Sequence, residues 1–136
     1  MSKIHRLAAT AAVLATAGVS AFAGSAGAST TSTPDYVRLH IQVTGADGHS
    51  TYGSLRCDPP AGRHNRPAEA CAELAAVDGN PAALNVSVPW IRCNPQAQEP
   101  TTVRMTGYWG STVVDYRRTF ANPCMVMTTT GSVFSI

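Results

Sequence analysis

Hydrophobic and polar positions alternate most clearly where Val37, Leu39, Ile41 and Val43 are interleaved with Arg38, His40, Gln42 and Thr44. A two-residue period sends successive side chains to opposite faces of a strand, so this run predicts a strand with one buried face. Gly45-Ala46-Asp47-Gly48 predicts a turn, and Thr51–Cys57 a second, less regular strand. Thr101–Trp109 alternates through Val103, Met105 and Trp109, and Thr112–Phe120 through Val114, Tyr116 and Phe120. Gly110-Ser111 between them is a two-residue hairpin signal with glycine first. Ser132–Ile136 predicts a last short strand.

The period changes over Pro67–Val77, where alanine dominates. Pro67 suits the first turn of a helix, and Glu69 suits its positive end. Cys71, Leu74 and Ala75 share one face at three- and four-residue spacing, so the disulfide partner of Cys71 is expected on the core side. Asp78-Gly79-Asn80 ends this helix, and Pro81–Leu84 offers one more turn. Asp58–Arg66 holds Pro59, Pro60 and Gly62 and reads as a loop. The pattern predicts an α+β fold, with a five-stranded antiparallel sheet and one or two short helices.

The amino terminus reads differently. Lys3 and Arg6 precede the uncharged run Leu7–Ala23, and Ala26-Gly27-Ala28 is a small-x-small cleavage pattern. This is the organisation of a secretory signal peptide over residues 1–28, with Ala21-Phe22-Ala23 as a second cleavage candidate. The run is short and rich in small residues, which makes it a poor membrane span. Residues 29–136 then form one secreted, extracellular domain.

That compartment changes the meaning of the four cysteines, Cys57, Cys71, Cys93 and Cys124. An even count in a secreted chain predicts two disulfides, and spacing alone allows three pairings. The local pairing closes loops of about 15 and 32 residues, each contributing roughly 3 to 4 kcal/mol through loop-closure entropy. A zinc site is disfavoured because the chain has no CxxC pair. No cofactor or metal is expected. Removing Lys3 and Arg6 leaves eight arginines against eight acids and no lysine. A neutral chain without a basic run predicts no nucleic-acid partner. The lack of lysine excludes Schiff-base chemistry.

The third cysteine opens the stretch Cys93-Asn94-Pro95-Gln96-Ala97-Gln98-Glu99-Pro100. It has no hydrophobic period. Each proline fixes its own φ and pushes the residue before it toward extended geometry. A disulfide at one end and two prolines predict a stiff, exposed, extended loop suited to being gripped by another protein. Other constellations carry less. His40 lies on the polar side of a strand, and His49 and His64 lie in Gly/Pro-rich loops, so catalysis with Ser50 or Asp58 is disfavoured and the chain is not expected to be an enzyme. No G-x-S-x-G, H-E-x-x-H or Walker pattern occurs. Trp90, Trp109 and Tyr108 are candidates for a sugar-binding face, with a core or interface role preferred. Asn85-Val86-Ser87 is a glycosylation sequon.

Four stretches together carry a family likeness: Ala70-Cys71-Ala72-Glu73-Leu74-Ala75-Ala76-Val77, Cys93 with Pro95 and Pro100, Tyr116-Arg117-Arg118-Thr119-Phe120-Ala121-Asn122-Pro123-Cys124, and Gly131-Ser132-Val133-Phe134. With them the chain resembles the Streptomyces subtilisin inhibitor family of secreted serine-protease inhibitors. The resemblance implies the pairs Cys57–Cys71 and Cys93–Cys124, a homodimer packed through sheet faces, and substrate-like inhibition of a subtilisin-like serine protease by the loop after the third cysteine. The family pattern places proline directly after that cysteine, then the residue that enters the specificity pocket, and a second proline five positions after the first. Pro95 and Pro100 keep that separation, and Asn94 is extra. Matched on the prolines, the specificity residue is Gln96 and the reactive bond Gln96–Ala97. Two other functions fit the same loop. One is a glutamine-donor substrate of transglutaminase through Gln96 or Gln98, and the other is a non-inhibitory binding module.

Overall fold

The computed structural model describes residues 33–136, so the expected signal segment 1–28 lies outside the described residues. The elements run β1 (Val37–Thr44), β2 (Ser50–Cys57), β3 (Pro60–Ala61), α1 (Pro67–Ala75), a 3-10 turn (Pro81–Ala83), β4 (Thr101–Trp109), β5 (Thr112–Phe120) and α2 (Pro123–Thr130). The five strands form one antiparallel sheet in the order β3-β2-β1-β4-β5. β4 and β5 meet at Trp109 and Thr112. Gly110 takes φ 58° while Ser111 keeps a negative φ, which is the glycine-first hairpin that the sequence predicts.

The period of β1 becomes the core directly. Val37, Leu39 and Ile41 are buried, and the register sets them beside Leu55 of β2 and Met105 and Trp109 of β4. Full burial of each such side chain contributes about 1.5 to 3 kcal/mol. α1 covers this face with Ala70, Cys71, Leu74 and Ala75. Its end is sharp. Asp78 and Gly79 both turn to positive φ, and Gly79 N–H donates to Leu74 O at 2.8 Å. A side chain at Gly79 would enter the Trp109 ring, so glycine is required there for space as well as for its φ of 70°.

The disulfides are Cys57–Cys71 and Cys93–Cys124, as the resemblance implies. The first joins β2 to α1 on the core side, where the helical spacing places Cys71. Pro81–Ala83 supplies the expected extra turn, with the Asn80 side chain accepting from Ala82 N–H at 3.1 Å.

Two expectations change. Ser132–Ile136 is not a strand. Gly131 ends α2 at φ 60°, and the bonds Val133 N–H to Thr130 O and Ser135 N–H to Ser132 O wind the chain into turns. Val133 and Phe134 are buried by that winding without a ladder partner. The fifth strand is instead Pro60–Ala61, inside the segment read as a loop. It pairs with Cys57 and Arg56 at the sheet edge, where proline's missing N–H is tolerated.

α2 is the second helix, in a region without a helical period of hydrophobic residues. Asn122 caps it by accepting from Met125 N–H, and Pro123 sits in its first turn. Three consecutive threonines mask it in the sequence. Thr128 and Thr130 satisfy their hydroxyls on the carbonyls of Cys124 and Val126 within the helix.

Candidate reactive loop

The segment from Leu84 to Pro100 belongs to no sheet and to no helix, so other forces must hold it. Val86 N–H donates to Thr129 O of α2 at 2.9 Å. The Cys93–Cys124 disulfide then fixes the chain to the first turn of α2, with the two Cα atoms 5.6 Å apart. Beyond the loop, Glu99 N–H donates to Ala121 O at 2.9 Å, and the Thr101 hydroxyl donates to Glu99 O at 3.0 Å as β4 begins. Asn94, Pro95, Gln96, Gln98, Glu99 and Pro100 are exposed between these anchors, and Ala97 is half-buried.

The residue that shapes the exposed part is Asn122, which is 3% exposed. Its Nδ2 donates to Asn94 O at 3.0 Å and to Ala97 O at 3.1 Å. Its Oδ1 accepts from Met125 N–H at 3.0 Å. Both amide hydrogens and the amide oxygen are therefore used, and one buried side chain bridges the loop to the helix. Pro95 and Gln96 project between the two bridged carbonyls. The sequence does not single out Asn122. Its one local signal is an asparagine directly before a proline, the mark of a helix start.

The loop is not extended throughout. Asn94–Ala97 close a β-turn in which Ala97 N–H donates to Asn94 O at 3.2 Å. The Asn94 side chain reinforces it by accepting from Gln96 N–H at 3.0 Å. Asparagine at the first position and proline at the second are favourable turn residues. The extended tendency before a proline acts on Asn94, the turn's first residue, and leaves Pro95 and Gln96 free to bend the chain.

The other sequence candidates stay apart. Cys57–Cys71 ties β2 to α1 and involves no residue of the loop. Trp109 is buried on the inner face, Tyr108 points to the outer one, and Trp90 stands 82% exposed, so they form no common aromatic platform. His64 accepts from Arg66 N–H at Nδ1 and reaches Val133 O with Nε2, which assigns the ring a structural role. Among the described residues no group of His, Cys, Asp and Glu side chains is arranged to hold a metal ion. One carboxyl departs from its ordinary range. Burial pushes Glu73 up, and the amides of Ser132 and Val133 partly oppose that; the Ser132 N–H lies 2.7 Å from the Glu73 carboxylate.

Comparison with known proteins bears on this arrangement. A family model described as subtilisin inhibitor-like matches residues 33–122. The subtilase-type protease inhibitor of Streptomyces coelicolor is 35% identical to the chain, with 99% of each covered. Subtilisin inhibitor-like protein 5 of Streptomyces fradiae is 42% identical over 83 residues, covering 60% of this chain and 76% of that protein. Among solved structures, Streptomyces caespitosus sermetstatin, determined in complex with Bacillus licheniformis subtilisin, matches with a TM-score of 0.54 and 27% identity. The match covers 73% of this chain and 97% of sermetstatin.

Proposed function

The chain belongs to the subtilisin inhibitor-like family, and from that premise we propose that it is a secreted inhibitor of subtilisin-like serine endopeptidases whose reactive bond is Gln96–Ala97. The observation that carries this reading is the Asn122 bridge between Asn94 O and Ala97 O, the carbonyls flanking Pro95–Gln96. Together with Cys93–Cys124 it holds both sides of one exposed peptide bond.

The chemistry follows from that double hold. The protease's serine attacks the Gln96 carbonyl carbon, and the oxygen takes the developing charge toward backbone donors of the enzyme. Breaking the C–N bond gives an acyl-enzyme at Gln96 and a new amine at Ala97. Ala97 stays tied through its carbonyl to Asn122, and Glu99 through its N–H to Ala121. The amine is therefore kept beside the ester, and religation competes with release. Because the anchors on either side of the bond, the Cys93–Cys124 bridge and the holds on Ala97 and Glu99, are in place before binding, association has only the short stretch between them left to order. Glutamine is tolerable in a broad apolar pocket. It is poor where a carboxylate requires Arg or Lys, or where a slot requires an aromatic ring.

Titration of subtilisin activity with the purified domain tests the reading, and slow cleavage of the complex is expected only between Gln96 and Ala97. Full activity in excess protein, or cleavage outside Asn94–Glu99, rejects it. Gln96→Lys is expected to create measurable trypsin inhibition on an unchanged scaffold, read as an inhibition constant where the parent protein has none.

The assembly we propose is a homodimer through the outer sheet face. Tyr52, Tyr108 and Val113 are 59%, 49% and 68% exposed there, and the Tyr36 ring lies 6.5 Å from that of Tyr108. Sedimentation is expected to give a dimer at micromolar concentration. A monomer under those conditions refutes the assembly.

A further inference from the structure

We infer that Asn94 latches the reactive loop in a closed turn, and that this turn must open before a protease can take the Gln96–Ala97 bond. The inference rests on the inhibitory reading above and adds a rate-setting residue to it. Asn94 is the position that the family pattern lacks, because it stands between the third cysteine and the proline.

The closed form is held by three bonds that meet on Asn94. Its Oδ1 accepts from Gln96 N–H at 3.0 Å, and its carbonyl accepts from Ala97 N–H at 3.2 Å and from Asn122 Nδ2 at 3.0 Å. Gln96 keeps a negative φ, since Asp78 alone among the described non-glycine residues has a positive one. A type II turn needs a positive φ at that position, so the turn is type I. Type I geometry puts Pro95 at ψ of about −30°. A strand needs ψ between about +100° and +180°. The residues before Gln96 therefore do not form the extended edge that a bound peptide pairs with an enzyme strand.

The atoms also conflict. In extended binding, Asn94, two positions before Gln96, offers its backbone N–H and C=O to the enzyme. Here its carbonyl is already occupied twice, and the amide nitrogen of the reactive bond is one of the occupants. Opening rotates Pro95 ψ toward the strand region and breaks both bonds inside the turn. The bond from Asn122 to Ala97 O need not break, so the amine side stays anchored while the other side unfolds into the enzyme. The population of open loop scales the apparent affinity and the association rate.

Asn94→Ala removes the Oδ1 acceptor at an exposed position and leaves the backbone bond. One net hydrogen bond corresponds to roughly a 2- to 10-fold change in the open population. The experiment measures association and dissociation rates with subtilisin for the parent protein, Asn94→Ala and Asn94→Asp. Amide exchange at Gln96 and Ala97 is followed in the free proteins. The expected result is association faster by that factor for Asn94→Ala, with dissociation unchanged. Asn94→Asp keeps the acceptor and is expected to associate more slowly than Asn94→Ala, by about the same factor. Gln96 N–H is expected to be protected in the parent and in Asn94→Asp, and to lose protection in Asn94→Ala. Slower association for Asn94→Ala, equal rates for all three proteins, or an unprotected Gln96 amide in the parent each overturns the latch while inhibition stands. If no variant inhibits, the inhibitory reading falls and the latch falls with it.

Discussion

Two disulfides staple this domain in opposite settings. Cys57 and Cys71 are 6% and 3% exposed and join two elements that already pack together, β2 and α1. Cys93 and Cys124 are half-buried and join α2 to a segment with no ladder and no helix of its own. Loop entropy alone ranks the second bridge slightly higher, because it closes the longer loop. Packing reverses the ranking for the fold. The first bridge sits inside a core whose loss leaves a cavity, while the second fixes the geometry of an exposed bond. Similar chemistry thus serves stability in one place and presentation in the other.

Breaking each bridge separately tests the contrast. Cys57→Ala with Cys71→Ala is expected to lower stability by about 2 to 5 kcal/mol. In a domain of this size that is a fall in Tm of roughly 10 to 20 °C. Below the new Tm, subtilisin inhibition is expected to stay within about fivefold of the parent. Cys93→Ser with Cys124→Ser is expected to weaken inhibition at least 100-fold, about 2.7 kcal/mol, with the loop cut and released as a substrate. Calorimetry and inhibition assays that gave the reverse assignment would remove the distinction.

A smaller change sharpens the same point. Asn122→Ala removes a helix cap and both bridged carbonyl bonds. Loss of the cap is expected to lower stability by about 1 to 2 kcal/mol, read by denaturant unfolding. The complex is expected to turn over faster than the parent's, since Ala97 is no longer held. Unchanged turnover would mean that the disulfide alone retains the amine.

The smallest effect lies at Glu73. Its carboxyl is raised by burial, so the folded state holds that proton more tightly than the unfolded chain. The stabilisation from this group is fully present below the unfolded value, about 4.5, and is lost as pH rises through the higher folded value. Glu73→Gln is expected to erase that segment from a plot of Tm against pH. Parallel curves for the two proteins would show that Glu73 does not contribute it.

Legibility in the sequence follows the same division. The alternation of Val37–Val43 was readable because burial on one face of a strand writes a period of two. α1 was readable because proline, alanine and the spacing of Cys71 and Leu74 agree. Ser132–Ile136 misleads because Val133 and Phe134 favour strands, yet the turns that follow Gly131 bury both side chains without a ladder. The cysteine spacing left three pairings open, since a bridge depends on the whole topology. The turn at Asn94 carries a local Asn-Pro signal, but the two prolines together argued for an extended run. Asn122 was illegible because its partners, Asn94 and Ala97, lie 28 and 25 residues away in the chain.

The strand order has a last consequence, for how such a molecule behaves when crowded. The sheet ends at β3 and β5. Open edges are templates on which one chain can add to another and grow into aggregates. β3 is only two residues long and carries Pro60, which gives an incoming strand almost nothing to bond. β5 is a full nine residues, but Asp115, Arg117 and Arg118 stand exposed along it. One border is blunted by brevity and the other by charge. Edge-to-edge growth is thereby discouraged on both sides.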